Sequence, residues 1–311
     1  MFKGWIAAAF TLIVWGVTFV NTRMLLTEFS ALEILLLRFA LAWGMLVLIG
    51  LVQRKRCGWQ GRNEALFAVM GLTGVFVYQF LENCAIYYTN ASNVAILVSF
   101  GPIVTALMAR LALNDRSLSL RLVLGSLVSI AGVVLVAVNG AVNFHLRPLG
   151  DLMALGAMVS WGAYSILVGK VNALDVPPLV AVRKSFGWAL VMMLPLAIWG
   201  MTESGYVALD GSYSVTLDVG ANLARFSSLE NGFNLLFLGV FASAACFVLW
   251  NVACKALGVV RTTVCLYLTP IIGVLFAAFF LREPITGTLA TGGVLIIVGV
   301  ITATMKRGVQ K

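Results

Sequence analysis

Charge is what this sequence has least of. Only 11% of its 311 residues are Asp, Glu, Lys or Arg, while 61% are hydrophobic. A soluble domain of this length could bury a large core, but it would still need a charged surface, and these residues cannot supply one. Lipid must surround most of the chain. Enzyme constellations are missing too. His145 is the only histidine, and there is no GxSxG, Walker-type or HExxH motif and no clustered acid pair. The five cysteines follow no CxxC or metal-type spacing. Cys84, Cys246, Cys254 and Cys265 fall in apolar segments and Cys57 in a basic loop, so free thiols are expected, with no disulfide framework, no metal and no cofactor.

What is present is a series of apolar runs, each long enough to cross about 30 Å of hydrocarbon with roughly 20 residues. They fall near 4–22, 31–52, 65–88, 91–113, 120–138, 149–170, 178–200, 232–254, 259–281 and 285–304. The first, with Lys3 ahead of it, imitates a signal peptide, but nine further runs follow and it is read as a retained span. The expected fold class is an all-α integral membrane protein of ten transmembrane helices.

The net charge of +9 invites a nucleic-acid partner, but the positions of the cations point elsewhere. With the N-terminus inside, the inner segments hold 14 Lys and Arg and the outer ones four, with Arg38, Arg183 and Lys184 inside spans. That bias sets a topology with both termini cytoplasmic. The partners it implies are the bilayer and a small molecule, not nucleic acid. The long outer loop 201–231 reads as a solvated connector, although Tyr206 to Asp218 could form a hairpin over the outer mouth.

The chain also repeats itself. Phe80 to Asp115 returns 168 positions later as Val248 to Glu283, with Asn83, Ala85, Pro102 and Ile103 recurring as Asn251, Ala253, Pro270 and Ile271. Trp15-Gly16 returns 146 positions on as Trp161-Gly162. Two units follow, 1–139 and 148–305, each of five spans. Five is odd, so the second unit enters the membrane from the opposite side. The result is two inverted repeats, an arrangement that places a site near the midplane between halves.

Pro102 and Pro270 each sit near mid-span, where proline removes a backbone donor and crowds the carbonyl one turn back, at Val98 and Leu266. Broken helices in lipid are tolerated where they line a cavity or pack on protein. Gly101 beside Pro102 would keep that backbone accessible. In the third span Gln79, Glu82 and Asn83 share a face, with Tyr78 one turn before. A carboxylate in that setting costs about 2.5–3.5 kcal/mol on insertion scales and should face a cavity or a cation. Arg38 reaches a similar depth, about 10 Å below the outer surface against about 9 Å for Glu82. Arg38 maps by 146 positions onto Lys184, and Glu82 by 168 onto Trp250. Where the repeats agree, a scaffold role is favoured; where they differ, substrate chemistry. Arg38 and Lys184 are therefore read as structural or charge partners, and Glu82, Gln79, Tyr78, Asn83, Trp250 and Asn251 as substrate-binding. Trp161, Tyr164 and Tyr267, together with Trp15, Phe19 and Trp188, are candidates for an aromatic cavity wall.

The paired Trp-Gly, Arg38, the two prolines, the acids Asp115 and Glu283 after them, and the glycines that follow (Gly125 and Gly132; Gly292, Gly293 and Gly299) resemble the EamA-type transporters of the drug/metabolite transporter superfamily. The resemblance implies a ten-helix inner-membrane protein exporting amino acids or other metabolites through a central cavity. Glu82-Asn83-Cys84 and Trp250-Asn251 look similar to segments of aromatic amino acid exporters in that superfamily. Cation-exporting relatives keep a glutamate in the first helix, which Phe10 to Phe19 lacks. Two alternatives stay open: a proton-coupled exporter of organic cations using Glu82, and a membrane enzyme or scaffold without transport.

Overall fold

The computed structural model describes residues 1–25, 28–54, 58–59, 61–89, 91–115, 117–138, 147–200, 223–280 and 285–305. His145, Cys57, Arg282, Glu283 and residues 201–222 of the long loop, with the hairpin expected there, lie outside the described residues. Among those described, every regular element is helical. Among the described residues nine helical stretches are long and apolar enough to cross a membrane, and the 24-residue first helix, Phe2–Leu25, is counted with them as the first of ten spans. Their bounds fall close to the apolar runs; the eighth starts at Leu229, a little earlier than hydropathy suggests.

Local chemistry sets where spans begin. At the second, Ala31–Val52, the Ser30 hydroxyl accepts the Glu33 N–H and the Glu33 carboxylate accepts the Ser30 N–H, a reciprocal cap that satisfies two otherwise orphaned donors. The sixth, Pro148–Ala173, has proline in its first turn, where no N–H is missed.

The spans that carry Pro102 and Pro270 are interrupted, whereas the seventh, Pro178–Gly200, runs through Pro195 as one helix. The fourth stops at Val98, turns through Ser99 and Phe100, and restarts as Gly101–Ala112. The ninth runs Val259–Val264, tightens into a 3-10 turn at Cys265–Leu268, and resumes as Thr269–Phe280. There the carbonyl of Leu266, crowded by Pro270, accepts the N–H of Thr269 instead. The 3-10 turn keeps a backbone acceptor paired where water is excluded.

The third and eighth spans differ from the continuous α-helices that hydropathy suggests. Each contains a widened π-helical stretch, Leu72–Val77 and Phe237–Ala245. Both are stitched to the other repeat. Ser160 of the sixth span donates to the Thr73 carbonyl at 2.8 Å, and the Trp15 indole of the first donates to the Ala242 carbonyl at 2.9 Å.

The packing obeys a two-fold relation. The first span lies along Cys246–Leu257, and the sixth along Tyr78–Tyr88. The second span crosses Phe237–Ala245 of the eighth, and the seventh, Pro178–Gly200, crosses Glu64–Gly71 of the third. The fifth and tenth spans, Leu120–Val138 and Gly287–Thr304, run together. Gly125 approaches the backbone at Gly299, and Gly132 approaches Gly292, so closely that a methyl on any of the four would strike facing main chain. This exchange of like contacts is what a two-fold axis produces. The main core lies between the halves, with Phe39, Phe186 and Phe247 packed edge-to-face.

Candidate functional site

The interrupted and widened helices surround one cavity of about 620 Å³. Its base is formed at the breaks, by Ser99, Gly101, Pro102, Tyr267 and Pro270, and by the rings of Trp15, Trp161 and Phe247. From there it reaches the ends of spans that share one side: Thr22, Val94, Ala137, Ala278 and Ile285. That side is opposite the N-terminus. Toward the N-terminal side the halves are packed shut. Val259–Val264 rests on Gly101–Ala112, and Gly169 is held against Leu113 and Val259.

The charged and amide groups gather on one wall. Tyr78 donates its hydroxyl to a Glu82 carboxylate oxygen at 2.7 Å, one helical turn away. Arg38 donates from Nε to Ser243 Oγ at 2.6 Å and from Nη1 to Gln79 Oε1 at 3.2 Å. Its guanidinium also sits over the Phe39 ring at 5.3 Å. Arg38 and Glu82 thus share a cavity, as their depths suggest, but they do not pair: among the described residues no carboxylate stands within 4.0 Å of Arg38. Asn83 also lines the cavity. The base is aromatic: Trp15 and Trp161 meet edge-to-face with ring centres 5.6 Å apart, and Tyr78 lies 4.9 Å from Trp161.

Of the residues expected at the site, Glu82, Gln79, Tyr78, Asn83, Trp161, Tyr267, Gly101, Pro102, Pro270 and Arg38 are on the cavity wall. Trp250, Asn251 and Tyr164 are not. All three are fully buried one layer behind it. Trp250 packs on Trp15 and Trp161, and Asn251 donates to the Tyr164 hydroxyl at 3.2 Å and the Phe247 carbonyl at 2.8 Å. The ring of Tyr164 covers Gly74, where any side chain would collide with it. The physical reason is the tight packing of the first and sixth spans on the eighth and third, which leaves no gap at that layer.

Lys184 is not a second Arg38. It forms a buried ion pair with Glu64, Nζ lying 2.7 and 2.9 Å from the two carboxylate oxygens, and Trp188 donates to the same carboxylate at 3.1 Å. Trp188 therefore serves this cluster instead of the cavity wall. The backbone contacts explain the mismatch. Gly239 abuts the Arg38 carbonyl, whereas its counterpart Gly71 abuts the Ser185 carbonyl. The two-fold thus sets Arg38 opposite Ser185, one residue beyond Lys184, and one residue turns a helix by about 100°.

Glu64, Ser243 and Phe247 are the residues that sequence reasoning leaves out. Glu64 sits just before the apolar run of the third span and reads as an interfacial residue. Phe247 is the 168-position echo of Gln79, so the repeat itself could have flagged it.

A multi-pass membrane protein of two inverted five-span halves around one central cavity has the architecture of a transporter. The chain belongs to the EamA-like transporter family, whose sequence model matches residues 2–138 and 148–305. It is 26% identical to an uncharacterized transporter of Archaeoglobus fulgidus over 96% of each chain. A protein of Streptantibioticus cattleyicolor named a "probable terminal-alkyne amino-acid exporter" is 26% identical, over 95% of this chain and 91% of the other. One of Escherichia coli K12 named a "probable amino-acid metabolite efflux pump" is 25% identical, over 96% and 93%. A crystal structure at 18% identity shares the fold with a TM-score of 0.73, over 96% of this chain and 95% of that one.

Proposed function

We propose that this transporter exports amino acids or similar small metabolites across the cell membrane, opening its central cavity to the two sides in turn. The observation that carries this reading is the wall itself. A cavity large enough for a small metabolite holds one cation and one acid that do not pair with each other, above an aromatic base. Such a wall offers complementary partners to a small zwitterion with an apolar body. The names of two relatives point the same way. In this reading both termini are cytoplasmic, and the cavity faces outward as it stands. Pro102, Pro270 and Gly101 supply the breaks about which half-helices reorient. The repeats 1–139 and 148–305 are the two bodies that rock.

Counterflow in proteoliposomes tests it, with a panel of amino acids and organic cations, with and without a pH gradient. Saturable amino-acid exchange that ignores the gradient is the expected result, with at least a tenfold loss on Glu82→Gln, the loss of one charged hydrogen-bonding partner. Flux of cations that needs the gradient and vanishes in Glu82→Gln would instead establish the proton-coupled exporter.

A further inference from the structure

We infer that Arg38 is the anchor for a substrate carboxylate, and that the cavity therefore selects α-amino acids over the corresponding amines. The inference rests on the exporter reading above and narrows its substrate class.

Four cations are buried among the described residues, Arg38, Arg183, Lys184 and Arg225, and three of them show a contrast. Lys184 and Arg225 are 8% and 9% exposed, and each carries a carboxylate, Glu64 at 2.7 Å and Glu33 at 2.5 Å. Arg38 is equally buried at 9%, but its hydrogen-bond partners are a hydroxyl and an amide. Glu82 shares the wall but does not touch Arg38, and a guanidinium removed from water with no anion in contact is costly, so a fold that keeps one on a cavity wall leaves it open to a closer counter-charge. The geometry suits a ligand better than a distant residue. Ser243 and Gln79 hold Nε and Nη1 and so fix the plane of the guanidinium, while Nη2 makes no hydrogen bond to any described residue. The bond to Gln79 is long at 3.2 Å, and its acceptor is a neutral amide oxygen. A carboxylate that takes its place would make shorter, charge-assisted bonds to both terminal nitrogens.

The second half of the ligand follows from helix geometry. Glu82 lies three residues beyond Gln79, about 4.5 Å further along the same helix at 1.5 Å per residue. Tyr78 pins one of its oxygens. An α-amino acid carries its ammonium and carboxylate one carbon apart, so a single molecule can reach both groups while its side chain rests on Trp15 and Trp161. An amine without a carboxylate would leave Arg38 unanswered.

Full-length protein in detergent, titrated with L-phenylalanine, phenethylamine and 3-phenylpropanoate by tryptophan fluorescence, tests this. Phenylalanine should bind most tightly, and Arg38→Gln should weaken it about 30-fold, the effect of losing a charge-assisted pair. Phenethylamine should be unaffected by that change. Since Arg38→Gln could fail to fold, Gln79→Glu supplies a second arm. It gives Arg38 an internal carboxylate, should raise the melting temperature, and should abolish phenylalanine binding. Equal affinity for phenylalanine and phenethylamine, phenylalanine binding unchanged in Gln79→Glu, or no response to either carboxylate would each overturn the assignment. If carboxylate-free metabolites still exchange in proteoliposomes, only the anchor falls. If folded protein moves no compound on the panel, the exporter reading falls with it.

Discussion

The third and eighth spans are copies, yet they meet different surroundings. At Gln79, Glu82 and Asn83 the first repeat turns amides and an acid toward the cavity. At the corresponding Phe247, Trp250 and Asn251 the second repeat supplies one ring to the base and two residues to the packing behind it. The scaffold features match: the widened turns, the broken helices and the reciprocal glycines occur in both halves. The frame is thus present twice, and the polar wall of Gln79, Glu82 and Asn83 once. A substrate need not be symmetric to use a symmetric carrier.

Three changes would break or sharpen that contrast. The largest effect is expected at a charge found in one half only. Glu64→Gln strips the buried Lys184 of its carboxylate and should cost about 3–5 kcal/mol, the loss typical of an orphaned buried ion. Thermal unfolding of the detergent-solubilised protein would show it, and Glu64→Gln with Lys184→Met should recover most of the loss. A wild-type melting temperature in Glu64→Gln alone would mean that the pair contributes nothing.

Next comes the one polar residue kept in both copies. Asn251→Ala removes the bonds to the Tyr164 hydroxyl and the Phe247 carbonyl in a closed layer, and should cost about 2 kcal/mol. Asn83→Ala, at a cavity wall and with no hydrogen bond to a described residue, should stay within about 0.5 kcal/mol. Equal losses would erase the difference claimed between the two faces.

The smallest effect belongs to the N-terminal side. Lys255 lies 2.7 Å from Asp175, and this bond holds the Asp175 carboxyl below its usual range. A depressed carboxyl stabilises the folded state above the ordinary aspartate value, about 3.9, and that contribution fades as pH falls through the folded one. Both groups are well exposed, so the effect is slight. Asp175→Asn should lower the melting temperature marginally at pH 6 and by less at pH 3. A gap that widens on acidification would contradict the pair.

Much of the frame is legible in the residues. Hydropathy locates the spans because lipid admits few charges, and Pro102 and Pro270 mark the breaks by recurring at one place in both repeats, since Pro195, which has no such echo, interrupts nothing. The widened turns are not legible, since Leu72–Val77 and Phe237–Ala245 are apolar or small nearly all round and a turn of phase leaves no mark there. Faces are harder still. Glu82 and Trp250 occupy equal positions in equal helices, and only the neighbouring spans decide which one meets the cavity. Arg38 shows how fine the margin is. A one-residue slip in the alignment of the second and seventh spans pairs it with Lys184 and hides that one cation has a carboxylate and the other does not.

The widened turns also carry a history. A π-helical turn amounts to one residue inserted into an α-helix, and here it stands at matching places in both halves. One insertion inherited twice is a simpler account than two separate ones, which dates the event before the gene doubled. On that account a five-helix ancestor already bore this irregularity, and two of its copies, facing opposite ways, packed side by side within the bilayer in the way that Ser160 and Trp15 now hold the carbonyls of Thr73 and Ala242.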